Sequence, residues 1–162
     1  MSFKLIKPAT KEGQSELLEA AMLPTGSTGF KSDAVAFGVK EGSDALSAIA
    51  IFEGFGGGEA QFHFAMIDRS PITRAHIKAF IMLAFHHNAF GLKKVWANIA
   101  SSNRAAIRAA LALGFDFEYR KRAGFDGTED AIVLSMSRPM PGVVAARPQE
   151  NQSAVDQQDK GY

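Results

Sequence analysis

The sequence of 162 residues contains no cysteine. Disulfide bonds, thiolate metal sites and cysteine nucleophiles are therefore excluded, and the composition fits a reducing cytoplasm. An excess of charge of one sign is also missing, because 18 basic side chains nearly balance 17 acidic ones and leave a formal net charge of +1. This balance provides no overall field that would attract nucleic acid or an anionic membrane, so neither partner is expected.

Long hydrophobic runs are missing as well. The stretch MSFKLIKPAT lacks the apolar segment of a signal peptide, and no run approaches the roughly 20 residues that span a bilayer. Hydrophobic residues still make up 46% of the chain, enough for a substantial core. We expect one soluble, cytoplasmic domain over residues 1–138. Residues 139–162 are rich in Pro, Gln and Asp, which predicts a disordered tail.

The first half of the chain shows strand and helix patterns in turn. FKLIKPA is typical of a strand, and Thr10 is placed to cap a short helix after it. Residues 23–33, LPTGSTGFKSD, are turn-rich and predict an exposed loop. Three strands are predicted next, in AVAFGVKEG, SAIAIFEGF and EAQFHFAMID, with the glycine-rich hairpin loop GFGGGEA before the third.

The second half begins with the longest predicted helix, from about Pro71 to Phe90. Ser70 is placed to cap it, Pro71 suits a first helical position because it has no amide proton to lose, and Gly91 is expected to end it. A strand (KKVWANIA), a second helix (NRAAIRAALAL) and a hairpin (FEYRKRAGFDGTEDAIVLSMS) follow. Strands before and after the two late helices predict an α/β (α+β) chain, whose mixed, mostly antiparallel sheet carries helices on both faces.

One late segment, VWANIASSNRAAIRAALALGF, carries a more specific pattern. Asn103 precedes the helix, Ala106 stands three positions on, and Gly114 and Phe115 follow its end. With the hairpin after it, this segment resembles the GCN5-related N-acetyltransferase (GNAT) superfamily, closest to the branch that resembles ribosomal-protein-alanine N-acetyltransferases. The resemblance covers residues 3–138 in element order and is motif-specific over residues 95–138. A capping Asn and a terminal Gly also occur in many helices that bind nothing.

The resemblance implies an acyl-CoA-dependent N-acyltransferase. Such an enzyme moves an acetyl group from acetyl-CoA, a co-substrate, to a primary amine by direct attack. The acceptor would be a small-molecule, peptide or protein amine, and a homodimer is one assembly that we consider. In the family, the strand before the long helix and the two late helices hold the cofactor. The matching residues here are Ala65, Met66, Ile67, Arg69, Ile72, Thr73, Arg74, Ala75, Asn103 and Ala106.

The loop expected to hold the pyrophosphate departs from the family pattern. The family has Arg or Gln and then two glycine or alanine positions, whereas this chain has DRSPITRAHIK, without glycine. Backbone amides at a helix amino terminus still favour an anion, and Arg69 and Arg74 are placed to pair with phosphate oxygens. Pro71, however, removes one donor, and the β-branched Ile72 and Thr73 crowd the approach. The loop is therefore a degenerate form of the family's loop.

Alternation along EAQFHFAMID places three polar side chains on one strand face: Glu59, Gln61 and His63. A polar face on an internal strand must look onto water or a cavity, because unpaired buried polar groups are costly. The implied chemistry needs a group that takes a proton from the substrate ammonium. His63 is the first candidate because histidine titrates near neutrality, and Glu59, acting through water, is the second. A histidine hydrogen-bonded within the sheet is the alternative interpretation.

The family's usual general acid, a tyrosine on the late helix, has no counterpart, because Ala110 occupies that position. Tyr119 in the last hairpin is expected to pack instead. His86 and His87 would point in different directions on a helix, so no metal site is predicted. Two other functions stay open: a non-catalytic binding or assembly protein with this fold, and a relative that modifies nucleic-acid bases, given the basic run YRKR.

Overall fold

The computed structural model describes residues 3–41, 45–68 and 72–139. These residues form one seven-stranded sheet and three helices: β1 (Phe3–Ile6), α1 (Lys11–Thr25), β2 (Val35–Glu41), β3 (Leu46–Gly56), β4 (Glu59–Met66), α2 (Arg74–Phe85), β5 (Lys94–Ala100), α3 (Arg104–Leu113), β6 (Asp116–Phe125) and β7 (Glu129–Ser137). The strand order is β1-β2-β3-β4-β5-β7-β6. Neighbouring strands are antiparallel except β4 and β5, which are parallel. The predicted mixed, mostly antiparallel sheet is confirmed.

Helices cover both faces of the sheet, as predicted. A large apolar cluster joins one face to α2 and α3, and it includes the buried Ile81 and Leu113. A smaller cluster on the opposite face joins Ala21 of α1 to Ile49 and Ile51 of β3. Burying each such aliphatic side chain contributes about 1.5–3 kcal/mol before the entropy cost of ordering it. Within the described ranges, no helix is long and apolar enough to cross a membrane.

The first helix, α1, is capped as predicted but is longer than predicted. The Oγ1 atom of Thr10 accepts a hydrogen bond from the N–H three residues on, at 3.1 Å. Residues 23–25, predicted as loop, form the last turn of α1. Pro24 lies inside this turn although it has no amide hydrogen and its ring crowds the carbonyl four residues before it. Gly26 closes that turn at φ 69°, with N–H bonds from residues 26 and 27 back to the helix carbonyls.

The second helix, α2, begins later than predicted. Its N-cap is Thr73, and its first residue is Arg74. The predicted cap and first residue, Ser70 and Pro71, lie outside the described residues. The N–H of Thr73 donates to Nδ1 of His76 at 3.0 Å. A side chain inside the helix therefore fixes its start, which spacing alone does not show.

The same helix also ends well before Gly91, where the sequence predicts its end. In a continuing helix, the N–H of Asn88 would bond to the carbonyl of Ala84. It donates instead to Nδ1 of His86 at 3.3 Å. The Ala84 carbonyl accepts from Leu92 N–H at 2.9 Å. Both groups are satisfied in the turn after the helix, so the chain leaves the helix early.

The third helix, α3, matches the prediction at both ends. Oδ1 of Asn103 accepts a hydrogen bond from the N–H of Ala106 at 3.1 Å. Gly114 adopts the left-handed conformation at φ 104° and ends the helix. Phe115 then points into the large core cluster and is 3% exposed. The cap, the glycine and the buried aromatic fix where α3 lies against the sheet.

Replacing Gly114 by alanine is expected to lower the free energy of unfolding by about 1–2 kcal/mol, because a side chain strains this left-handed backbone. Crowding is not the cause, since an added Cβ would lie 3.7 Å from Cε of Met136, an ordinary contact. Urea denaturation measures the change. The control is Gly29→Ala, at an exposed position with no atom within 4 Å of the new Cβ. Equal losses in the two variants would contradict this explanation.

Candidate functional site

The two parallel strands, β4 and β5, pair only where they begin. The register joins residues 59–61 of β4 to residues 94–96 of β5. However, β4 continues to Met66 and β5 to Ala100. Beyond the paired residues the two strands diverge. Backbone N–H and C=O groups that would join neighbouring strands in a continuous sheet therefore face a gap.

A cavity of about 340 Å³ lies at this gap. On the side of α2 and α3 its wall includes Phe62 of β4, Ile99 of β5, and Ala106 and Leu113 of α3. Phe62 and Leu113 belong to the large core cluster, and Ile99 packs against it. We call this part the α3-side half of the cavity. Its wall is apolar, and its size suits a small-molecule site.

The cavity continues to the opposite face of the sheet. His63 lines it and pairs in register with Ile51, which packs in the cluster beneath α1. Asn98 lines it from β5 and, by alternation, faces away from α3. The end of α1 adds Pro24 and Thr25. We call this the α1-side half. The cavity thus crosses the sheet between β4 and β5.

His63 is held in place by two neighbours. Its Nε2 atom lies 2.8 Å from Oε1 of Glu53, and its ring meets the Phe30 ring edge-on at a centroid distance of 5.3 Å. Burial lowers the pKa of His63 below its usual value, and the neighbouring Glu53 only partly opposes this effect. The imidazole is therefore neutral at neutral pH and can accept a proton. Nε2 is the ring nitrogen that pairs with Glu53, and Nδ1 is the second ring nitrogen.

Glu53 is a residue that the sequence analysis missed. It is 6% exposed, and its Oε2 atom accepts a hydrogen bond from the N–H of Lys31 at 2.6 Å. In register it lies opposite Gln61, which makes it the diagonal neighbour of His63. The polar residue in the apolar run SAIAIFEGF was the available signal. A bulge between Glu53 and Gly56 shifts the register, so counting back from the hairpin would not have paired these residues.

Glu59, the second candidate base, does not line the cavity. It is exposed at the start of β4, opposite Lys94 in the paired part of the strands. It lies four positions before His63, which is about 13 Å along a strand. The structure does not bring the two candidate bases together. Only His63 lies at the gap.

The amino terminus of α2, predicted to hold a pyrophosphate, is exposed at Thr73, Arg74 and Ala75. The N–H of Thr73 already donates to the ring of His76. Helix geometry leaves the N–H groups of Arg74 and Ala75 without a partner inside the helix. Arg69 lies outside the described residues. Of the predicted amide donors, Thr73 is therefore engaged, whereas Arg74 and Ala75 have no partner inside the helix.

The other predicted cofactor residues divide into two groups. Three of them line the cavity: Met66, Asn103 and Ala106. Ala65 is buried in the cluster beneath α1, so its side chain points away from α3. Ile67 is exposed just after β4, and Ile72 packs against the large core cluster. Neither isoleucine lines the cavity.

Three further expectations concern side chains outside the predicted site. Ala110, in the position expected for a tyrosine, is buried and lines the cavity. Tyr119 is 51% exposed on the edge strand β6, so its predicted packing role is wrong. His86 and His87 follow α2 instead of lying on it, and their rings stack at 4.8 Å, so they do not point apart as predicted. Among the described residues, no group of three side chains is suited to a metal ion.

Asn98 is a second residue that the sequence analysis missed. Its Nδ2 atom donates to the carbonyl of Gly124 at 3.3 Å. Its Oδ1 atom is buried and has no hydrogen-bond partner among the described residues. A buried acceptor left without a partner costs about 1–3 kcal/mol. Asn98 is therefore a cavity-lining residue, on the strand facing His63, whose side-chain oxygen makes no hydrogen bond within the described part of the chain.

No protein-family model matches the sequence, and no curated protein matches it. Solved structures share its fold. The spermidine N-acetyltransferase from Vibrio cholerae, in complex with CoA and spermine, has a TM-score of 0.67 at 13% identity, over 83% of this chain and 95% of that chain. A structure of mutant forms of the spermidine/spermine N-acetyltransferase from Vibrio cholerae has a TM-score of 0.67 at 13% identity, over 84% of this chain and 95% of that chain. A chimera of the Vibrio cholerae enzyme with hSSAT has a TM-score of 0.65 at 13% identity, over 83% of this chain and 95% of that chain. The chain therefore has the GNAT fold.

The stability of the protein is expected to depend on pH through His63. Its pKa in the folded state lies below the ordinary 6.5. As the pH falls through this ordinary value, the unfolded chain therefore binds a proton that the folded chain does not, and stability is lost. The advantage of the wild type over His63→Gln in unfolding free energy should thus be smaller at about pH 5.5 than at about pH 7.5. Urea denaturation at both pH values measures it.

The control for this experiment is His87→Gln, at an exposed position. Its difference from the wild type should change less between the two pH values. An equal change in the two variants would show that burial of His63 is not the cause.

Proposed function

We propose that the protein is an acyl-CoA-dependent N-acyltransferase that moves an acetyl group from acetyl-CoA to a primary amine. The observation that carries this proposal is the divergence of β4 from β5, which opens a cavity across the sheet. Two substrates entering from opposite faces can meet there, beside unpaired backbone groups. The shared fold with a spermidine N-acetyltransferase that holds CoA and spermine supports the proposal.

The α3-side half of the cavity suits the acyl-bearing arm of acetyl-CoA. Its wall is apolar, and three small side chains of α3 leave room for a chain-like group: Ala106, Ala109 and Ala110. Backbone groups of β4 beyond Gln61 are available to the amides of that arm. The amino terminus of α2, with Arg74 beside it, favours the phosphates through its free amides and its dipole. Acetyl-CoA is a co-substrate in this scheme.

The α1-side half then receives the amine, because His63 lies there. The amine nitrogen attacks the thioester carbonyl carbon, so that the N–C bond forms and the C–S bond breaks. His63 takes the proton from the nitrogen. Backbone N–H groups at the gap stabilise the negative charge that develops on the carbonyl oxygen. Ala110 offers no acid, and the departing thiolate takes its proton from water.

The acceptor is assigned only as a primary amine. The Vibrio cholerae neighbours are described as spermidine or spermidine/spermine N-acetyltransferases, whereas the late motif of this chain resembles the ribosomal-protein-alanine branch. We therefore test three kinds of acceptor: a polyamine, another small amine and a peptide amino terminus. Acetyl-CoA is an intracellular metabolite, so the proposal includes action in the cytoplasm. A homodimer and a disordered tail over residues 139–162 remain predictions.

A non-catalytic binding protein with this fold is the second candidate. It is favoured by the engaged N–H of Thr73 at the expected phosphate site and by alanine at position 110. It predicts no transfer to any amine, whether or not acetyl-CoA binds. The nucleic-acid alternative has less support, because Arg120 of the basic run already pairs with Asp130 at 2.6 Å.

Filling the α3-side half should weaken cofactor binding. Ala106→Phe places a large ring in the cavity, so we expect at least a tenfold loss of affinity for acetyl-CoA, about 1.4 kcal/mol. Isothermal titration calorimetry measures it. Ala105→Phe is the matched control, because Ala105 precedes it on α3, is exposed and does not line the cavity. Unchanged affinity in Ala106→Phe would place the cofactor elsewhere.

Transfer itself can be followed by the thiol that CoA releases. The chain has no cysteine, so a thiol-reactive dye reports only CoA. We expect release above the uncatalysed rate with at least one of spermidine, 2-phenylethylamine and a peptide with amino-terminal alanine. His63→Ala should lower kcat by about 100-fold or more and leave the Kd for acetyl-CoA nearly unchanged. His87→Ala is the control.

No release by the wild type with any of these amines, despite acetyl-CoA binding, would favour the non-catalytic candidate. A His63→Ala variant with wild-type kcat would remove His63 from the mechanism.

A further inference from the structure

The buried carboxylate of Glu53 has no role in the scheme above. Both of its oxygens are occupied, Oε1 by Nε2 of His63 at 2.8 Å and Oε2 by the N–H of Lys31 at 2.6 Å. Taking a carboxylate out of water is expensive unless partners compensate for the lost solvation. An aliphatic side chain would fill this position in β3 at less cost, since Ile49 and Ile51 do so on the same face.

We propose that Glu53 is a positioning residue for acyl transfer, which holds His63 in the tautomer protonated on Nε2 and so makes Nδ1 the atom that takes the proton from the amine. This inference rests on the proposed function, because it assigns how the same site prepares its base.

The hydrogen-bonding capacity of the two groups leads to this tautomer. An ionised carboxylate only accepts hydrogen bonds, so the His63 nitrogen beside it must carry the hydrogen. A neutral imidazole has one N–H, and its other nitrogen is then a free acceptor. The edge-on Phe30 ring, at an interplanar angle of 80°, limits rotation of the imidazole. Glu53 and Phe30 together therefore fix both the proton and the ring plane.

The charges around His63 act in opposite directions. Burial lowers the pKa of His63, the hydrogen bond and the charge of Glu53 raise it, and the charge of Lys31 lowers it slightly. Within the described part of the chain, these two residues are the charged groups that act on the ring. Glu53 belongs to β3, and Lys31 to the segment between α1 and β2. Without Glu53 the lowering effects are unopposed, so the pKa falls further.

The segment over residues 27–34 does not depend on Glu53 alone for its position. Asp33 accepts the N–H groups of Gly54 and Phe55, both at 2.8 Å. These bonds, first of all the one from Gly54, hold the pKa of Asp33 below its usual value. Asp33 thus joins the same segment to β3 without touching His63. Asp33→Asn is therefore a matched control for losing a carboxylate anchor.

Glu53→Gln is the informative variant. Glutamine replaces one of the two carboxylate oxygens with an NH2 donor, so in the same orientation it cannot accept from both His63 and Lys31. We expect kcat for CoA release to fall by about 10- to 100-fold, with KM for acetyl-CoA nearly unchanged. The acid limb of the pH–kcat profile should move to lower pH. Asp33→Asn should keep the wild-type profile, and Glu53→Asp should recover part of the loss.

NMR of ¹⁵N-labelled histidine reads the tautomer without any substrate. The chain has four histidines, so the His63 signals are assigned by their loss in His63→Gln. In the wild type we expect protonation on Nε2, and in Glu53→Gln a mixture of tautomers with a lower pKa. A wild-type His63 protonated on Nδ1 would overturn the inference. An unshifted pH–kcat profile in Glu53→Gln would also overturn it.

Failure of the proposed function looks different. In that case the wild type itself releases no CoA, whatever the NMR spectra show. If only the inference fails, the wild type is active and Glu53→Gln keeps its profile. Thermal unfolding checks that Glu53→Gln is folded, and Glu53→Asp, which keeps the charge, decides the matter if it is not.

Discussion

The early end of the pairing between β4 and β5 is the constraint on which the site depends. Three residues of each strand are joined, and then the strands separate although both continue. Backbone polar groups must find partners or solvent, so such a gap inside a sheet is costly unless something fills it. Here it admits a cavity that reaches both faces. The same separation gives His63 and Asn98 positions on opposite sides of one opening.

The two faces of the sheet then do different work. Beneath α2 and α3 lies the larger cluster, and the cavity wall there is apolar and built partly from alanines. Beneath α1 the cluster is smaller, and beside it Glu53 is buried and His63 is half-buried. Stability rests mainly on the first face. The groups that can take part in proton transfer lie on the second face, where burying them displaces fewer apolar core side chains.

Local signals predicted most of the fold. Thr10 and Asn103 cap the helices expected of them, and Gly114 ends α3, because caps and left-handed glycines depend on a few adjacent residues. The predicted bounds of α2 were wrong because ring nitrogens of His76 and His86 accept hydrogen bonds from backbone N–H groups at its two ends. Periodicity does not register such side-chain bonds.

The site was harder to predict than the fold. His63 was found because it is polar in an internal strand, and it does line the cavity. Glu53 was missed because its partner lies on another strand and a bulge between Glu53 and the hairpin shifts the register of the two strands. Asn98 was missed because strand alternation does not show which strands part. Long-range register, and not residue type, was the missing information.

The last turn of α1 affects how a substrate is selected when it enters the α1-side half of the cavity. Pro24 and Thr25 line that entrance as part of a helix, with Oγ1 of Thr25 bonded to the carbonyl of Ala21 at 2.7 Å and Gly26 closing the turn. A cavity wall built from a closed helical turn is already ordered before a substrate binds. Little conformational freedom is lost on docking, so discrimination there comes from shape complementarity more than from induced closure.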